Sequence, residues 1–158
     1  MGNTTTLDII EHAFDVMGHA HRGQVDKGGN YYFLHPFRVS QEIKKHFTYK
    51  HTDYDKFITE CVALLHDVIE DSNITADDLV NEGFEDAIVN RVVRMTRNEG
   101  ESYMDYIKRI GEDNICRIVK MCDLKDNMDI TRLDKLKNED FNRLKKYHKA
   151  YKYLKSLE

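Results

Sequence analysis

The chain has 158 residues, so a single domain over 1–158 is expected, burying roughly 70% of its unfolded surface without disulfide or metal staples. Charged residues make up 33% and hydrophobic residues 41%, with nine Tyr and seven Phe, which excludes general disorder; one Pro and eight Gly exclude collagen-like or linker-rich chains. A net charge of −4 argues against a nucleic-acid partner, and no apolar run reaches membrane-spanning length.

The first predicted element is an amphipathic helix over about 6–21, capped by Thr6 or an earlier threonine, with Leu7, Ile10, Phe14 and Met17 on one face. Residues 22–34 carry a Gly-Gly pair and paired tyrosines and read as a loop or a short hairpin near 25–34. Pro36, the one proline, suits the first turn of a helix reaching about residue 47. The segment 54–70 is apolar on nearly every side, so a central, buried helix is expected there. Thr75 with Asp78 opens a short helix to about 81, and a further helix runs over about 84–96. Ser102 with Asp105 opens the next; Asp113 or Asn114 caps a helix over 115–129, and the last spans about 138–157. The fold class is therefore all-α, a compact bundle of about six to eight helices.

Charge is unevenly distributed along this bundle. Residues 53–90 hold 11 acidic residues and one lysine, whereas residues 133–158 hold eight Lys and Arg against four acids. The basic end is a solvated helix face or the border of an anionic ligand site. Cys61, Cys116 and Cys122 lie in apolar stretches without CxxC spacing, as expected of small buried residues in a reducing, cytoplasmic setting, and no secretory leader pattern is present.

The chemistry concentrates in three segments. His66-Asp67-Val-Ile-Glu70-Asp71 closes the most hydrophobic predicted helix, where acids oppose the macrodipole and follow the apolar Val62–Leu65 run. Burying unpaired carboxylates is costly, and a divalent cation compensates them; the alternative is a solvated, acidic helix end. Ile115, Val119, Asp123 and Asn127 share one i, i+4 line, so a core-facing stripe turns polar and needs partners. His35-Pro36, after the Gly-rich loop, supplies a second imidazole, for which packing or capping is the alternative.

In combination, Ala20-His21-Arg-Gly23-Gln24, Lys27, Gly29, Tyr32, His35-Pro36 with Val39, His66-Asp67-x-x-Glu70-Asp71 and Lys120-x-x-Asp123-x-x-x-Asn127-Met128 resemble the HD-domain metal-dependent phosphohydrolases. The resemblance covers about residues 7–155 and is nearest to the (p)ppGpp hydrolase domain of RelA/SpoT-type enzymes and the small stand-alone alarmone hydrolases. It implies His35, His66, Asp67 and Asp123 as metal ligands, and Glu70, Asp71 and Asn127 as catalytic residues. It also implies Lys27, Tyr32, Arg109, Arg143 and Tyr147 as substrate contacts. The implied cofactor is a divalent metal, Mn²⁺ first with Fe²⁺ or Zn²⁺ as alternatives, and the implied partner is a nucleotide.

Departures from that pattern bear on the substrate. Asp26-Lys27 stands where the alarmone hydrolases carry Arg-Lys, Ile130 replaces a threonine, and a lysine expected shortly after Thr96 is absent, with Arg97 close by. Hydrolysis of a different nucleotide or phosphoester, or a non-catalytic nucleotide-binding scaffold, are the competing readings. No P-loop, GxGxxG, HExxH or GxSxG motif supports kinase, dehydrogenase, zincin or serine-hydrolase chemistry.

Overall fold

A computed structural model describes residues 5–158. In chain order it forms α1 (Thr6–Ala20), α2 (Leu34–Glu42), α3 (Asp53–Leu65), α4 (Val68–Asp71), α5 (Ala76–Asn81), α6 (Asp86–Met95), α7 (Tyr103–Gly111), α8 (Asn114–Asn127) and α9 (Asn138–Lys155). Short 3₁₀ turns at Ile43–His46 and Ile130–Arg132 follow α2 and α8. The all-α class expected from the pattern holds.

Local caps account for most helix starts. Thr5, Thr52 and Thr75 each accept from the amide three residues on, and the aspartate there accepts from the threonine amide in return. Ser102 and Asp113 cap α7 and α8 through the Asp105 and Cys116 amides. Pro36 falls in the first turn of α2, where its missing N–H leaves no intrahelical bond unmade.

Two expectations are corrected. The predicted hairpin near 25–34 is a single antiparallel bridge between Val25 and Tyr31, because Gly29, at φ 79°, turns the chain back after only a few residues. The continuous helix over 54–70 is broken at His66-Asp67, with Asp67 at φ −102°, ψ −3° between α3 and α4. The His66 imidazole Nδ1 bonds the Ala63 carbonyl, which a continuing helix uses for the Asp67 amide. This break raises the helix count to nine among the described residues, while the Asp71 amide still bonds the Asp67 carbonyl one turn back.

The core forms around α3, where eight residues from Phe57 to Leu65 are buried. That helix packs on α1, α2, α6 and α8, and α8 in turn packs on α2, α7 and α9. All nine helices contribute buried residues to one apolar cluster. Each fully buried aliphatic side chain there contributes about 1.5–3 kcal/mol relative to exposure. The three cysteines are buried free thiols, with burial the main cause that pushes their pKa values up. Among the described residues, no helix is long and apolar enough to cross a membrane.

Candidate metal centre

The start of α2, the break after α3 and the last turn of α8 meet at one buried point. His35 Nε2 lies 3.1 Å from Asp123 Oδ1 and 3.5 Å from Asp67 Oδ2; His66 Nε2 lies 3.8 Å and 3.1 Å from the same two atoms. One ligand atom from each of His35, His66 and Asp123 falls within 4.8 Å of the others. Both Nε2 atoms are buried, yet neither has a hydrogen-bond partner. A buried polar atom without a partner is costly, and two such nitrogens facing two carboxylates fit a divalent cation.

The opposite faces of both imidazoles are fixed. His66 Nδ1 meets the Ala63 carbonyl at 2.8 Å, and His35 Nδ1 meets Asp126 Oδ2 at 2.7 Å. Asp126 is itself held by Arg38 through contacts of 2.6 and 3.0 Å. This backing places the proton on Nδ1 and leaves the Nε2 lone pair for a metal. Without a cation, burial works against charging these imidazoles, but the neighbouring carboxylates outweigh it and raise both pKa values, so a cation entering the cluster would compete with a proton for each Nε2. Asp67 and Asp123 are held low against burial, by the His66 and His35 imidazoles at Asp67 and first by Lys120 at Asp123.

Two chambers flank this cluster and share Tyr32, Asn127 and Tyr147 as walls. The inner one, about 240 Å³, is lined by Asp67, Glu70, Asp71, Arg97, Tyr103, Lys120, Asp123 and Lys146 among others. Glu70 accepts from the Arg97 amide, and burial is the main cause that raises its carboxyl pKa. Asp71 accepts from the Tyr32 hydroxyl at 3.1 Å, and that hydroxyl also donates to Asp67 at 2.7 Å. Asn127 Nδ2 donates to Asp123 Oδ1 at 2.5 Å, which fixes that carboxylate's orientation.

The outer chamber, about 270 Å³, is lined by Lys27, Arg143 and Arg132, with Asp26, Asp129 and His35. Arg143 is tied to Asp140 at 3.1 Å, while its second terminal nitrogen is buried without a partner. Of the residues singled out in the sequence, all four expected ligands, the acid pair, Asn127, Tyr32, Lys27, Arg143 and Tyr147 therefore meet along one cleft. Arg109 does not. Its guanidinium is saturated by Glu101 and by the carbonyls of Arg94 and Thr96, so it clamps the 96–101 loop instead of facing the cleft.

Other site residues were given no role from the sequence: Lys120, quoted only as part of a motif, and Lys146 and Asp126, not singled out at all. Lys120, with a side chain only 12% exposed, pairs with Asp123 at 2.8 Å and lies over the Tyr106 ring. Lys146 sits 4.6 Å from the Tyr103 ring centre and 5.2 Å from that of Tyr147, with no carboxylate in ion-pair range among the described residues. Asp126 backs His35. The spacing signal for Asp126 and Lys120 was present, since both lie three residues from Asp123 on α8.

Among proteins of known structure, the fold is that of a metazoan ortholog of SpoT described as hydrolysing ppGpp. It superposes with a TM-score of 0.68 at 19% identity, covering 94% of this chain and 92% of that one. By sequence, the chain is 30% identical over 132 residues to a probable GTP pyrophosphokinase of Mycobacterium leprae, covering 77% of this chain and 16% of the relative. It is 27% identical over 146 residues to the GTP pyrophosphokinase of Streptomyces coelicolor (87% of this chain, 16% of the relative) and 29% identical over 138 residues to that of Myxococcus xanthus (77% and 17%). The chain thus spans about one sixth of the curated relatives it matches. No protein-family model matches it.

Proposed function

We propose that the chain is an HD-type, divalent-metal-dependent phosphohydrolase that removes the 3′-diphosphate from a (p)ppGpp-like nucleotide. One observation carries this reading: two buried imidazole nitrogens without partners converge on two carboxylates beside a chamber that holds an acid pair. The fold shared with a ppGpp-hydrolysing protein and the named relatives in the same nucleotide chemistry support it. Pyrophosphokinase describes a synthetic activity of the relatives as whole proteins, of which this chain spans about one sixth, and this chain's own donors are suited to activating water. The second reading, another nucleotide as substrate, is favoured by Asp26, which the structure locks onto Arg132 where the loop would otherwise offer an arginine.

His35, His66, Asp67 and Asp123 would hold the cation, with Mn²⁺ preferred and Fe²⁺ or Zn²⁺ also compatible with two imidazoles and two carboxylates. When bound, it would polarise a phosphoryl oxygen and acidify a nearby water. Glu70, half-buried and raised in pKa, accepts the water's proton as its oxygen joins phosphorus. The bond to the 3′-oxygen breaks, and Asp71, which accepts from the Tyr32 hydroxyl, would return a proton to that oxygen. Products are pyrophosphate and the nucleoside 5′-diphosphate with a free 3′-hydroxyl.

Lys146 is assigned to the phosphates. It stands in for the lysine missing after Thr96, because an ammonium lacking a carboxylate partner at a chamber wall is available to an anion. Lys146→Ala is expected to raise KM ~10-fold, equal to about 1.4 kcal/mol, with metal content unchanged and Lys146→Arg restoring most of it. An unaltered KM in steady-state assays removes Lys146 from the site. The reading as a whole is tested with a panel of ppGpp, pppGpp, pppApp and ordinary nucleotides in Mn²⁺, where guanosine 3′-diphosphates should turn over fastest. Turnover of another phosphoester alone selects the second reading.

A further inference from the structure

The cavity-lining loop and the metal cluster are joined by one arginine. Asp26, its side chain 9% exposed, uses Oδ1 to accept the Gly28 and Asn30 amides at 2.8 and 3.0 Å and Oδ2 to meet Arg132 Nη1 at 2.6 Å. Its carboxylate is thereby occupied by the loop and by Arg132. Arg132 Nη2 then donates to the Asp126 carbonyl at 2.7 Å and lies 3.4 Å from the Asp126 carboxylate. That carboxylate holds His35 Nδ1. The backbone closes the same joint, since a Cβ on Gly28 would collide with the Arg132 carbonyl oxygen.

We infer that Arg132 is a positioning residue that clasps the Lys27 loop to Asp126, so that the loop's seating and the aim of the His35 imidazole are set together. The inference rests on the metal reading of the site. One planar cation forks between the Asp26 carboxylate and the main-chain carbonyl of Asp126, with the Asp126 carboxylate 3.4 Å away, a geometry lysine cannot reproduce. It also explains the aspartate at position 26. The charge at the loop is inverted, and the arginine arrives from the turn after α8, still on the wall of the outer chamber. Placing arginine at position 26 would set two guanidiniums against each other, so Asp26→Arg is expected to unseat the loop.

The test titrates Mn²⁺ into metal-stripped wild-type, Arg132→Gln, Arg132→Lys and Asp26→Asn proteins by calorimetry. Arg132→Gln should bind Mn²⁺ about 10-fold more weakly, as for loss of a group that orients a ligand. Arg132→Lys should recover part of this, and Asp26→Asn should show a smaller loss in the same direction. A clasp that is only structural would lower the melting temperature of the metal-free protein and raise KM, but would leave Mn²⁺ affinity alone. Unchanged affinity in the folded variants therefore overturns the inference. Should Arg132→Gln fail to fold, Asp26→Asn decides, because asparagine keeps the oxygen that accepts the Gly28 and Asn30 amides. Absence of Mn²⁺ binding by the wild type overturns the metal reading, and this inference with it.

Discussion

Replacing His66 or Asp123 by alanine should abolish divalent-metal binding and all turnover. Each residue contributes an atom to the buried convergence point, so its loss removes one of four donors and leaves the others facing one another without it. Stability should fall as well. His66→Ala leaves Asp67 and Asp123 with only the His35 imidazole between them, and Asp123→Ala strands the Lys120 ammonium, which is nearly buried. Breaking a buried pair by removing one partner costs about 3–5 kcal/mol, which denaturant unfolding of the metal-free proteins would read directly. The wild type should gain further stability with added metal by mass action, and neither variant should. Retained metal with normal stability in both variants would remove the assignment.

Glu70→Gln should keep its metal and lose turnover by ~10²-fold or more, the usual size for an acid–base group. Glu70 is not among the atoms that converge on the imidazoles; it faces the inner chamber and accepts from the Arg97 amide, a bond that glutamine's oxygen still makes. Because burial raises the Glu70 pKa, the ionised form needed to accept a proton is lost as pH falls through that raised value. Wild-type kcat/KM should therefore decline on the acid side above the ordinary carboxylate range, and Glu70→Gln should lack that limb. Asp71→Asn should likewise keep its metal but lose turnover. Loss of metal from either variant would make the pair ligands instead of proton carriers.

The parts of this molecule written in local sequence were legible there. Threonine and serine caps, the Pro36 start and the apolar run of α3 are signals within a few residues, and they placed the helix starts to within one turn. The four proposed ligands, His35, His66, Asp67 and Asp123, were legible through the resemblance to a known family, and the structure brings their side chains within reach of one another. The break at His66-Asp67 was not, since it depends on a side chain competing for a backbone carbonyl in an otherwise strong helix. Arg109 misled because a cation near a predicted site carries no mark of whether nearby carbonyls already saturate it. Asp26 misled for the converse reason. Its partner Arg132 lies 106 residues away, and no local pattern announces a pair so distant.

The most direct measurement incubates the purified chain with Mn²⁺ and ppGpp, follows the products by anion-exchange chromatography, and runs a parallel arm with ATP and GTP. GDP and pyrophosphate are expected in the first arm, with loss of that activity on chelation, and no pppGpp in the second. Intact ppGpp with Mn²⁺ demonstrably bound, or pppGpp formed from ATP and GTP without hydrolysis, would contradict the proposed hydrolysis.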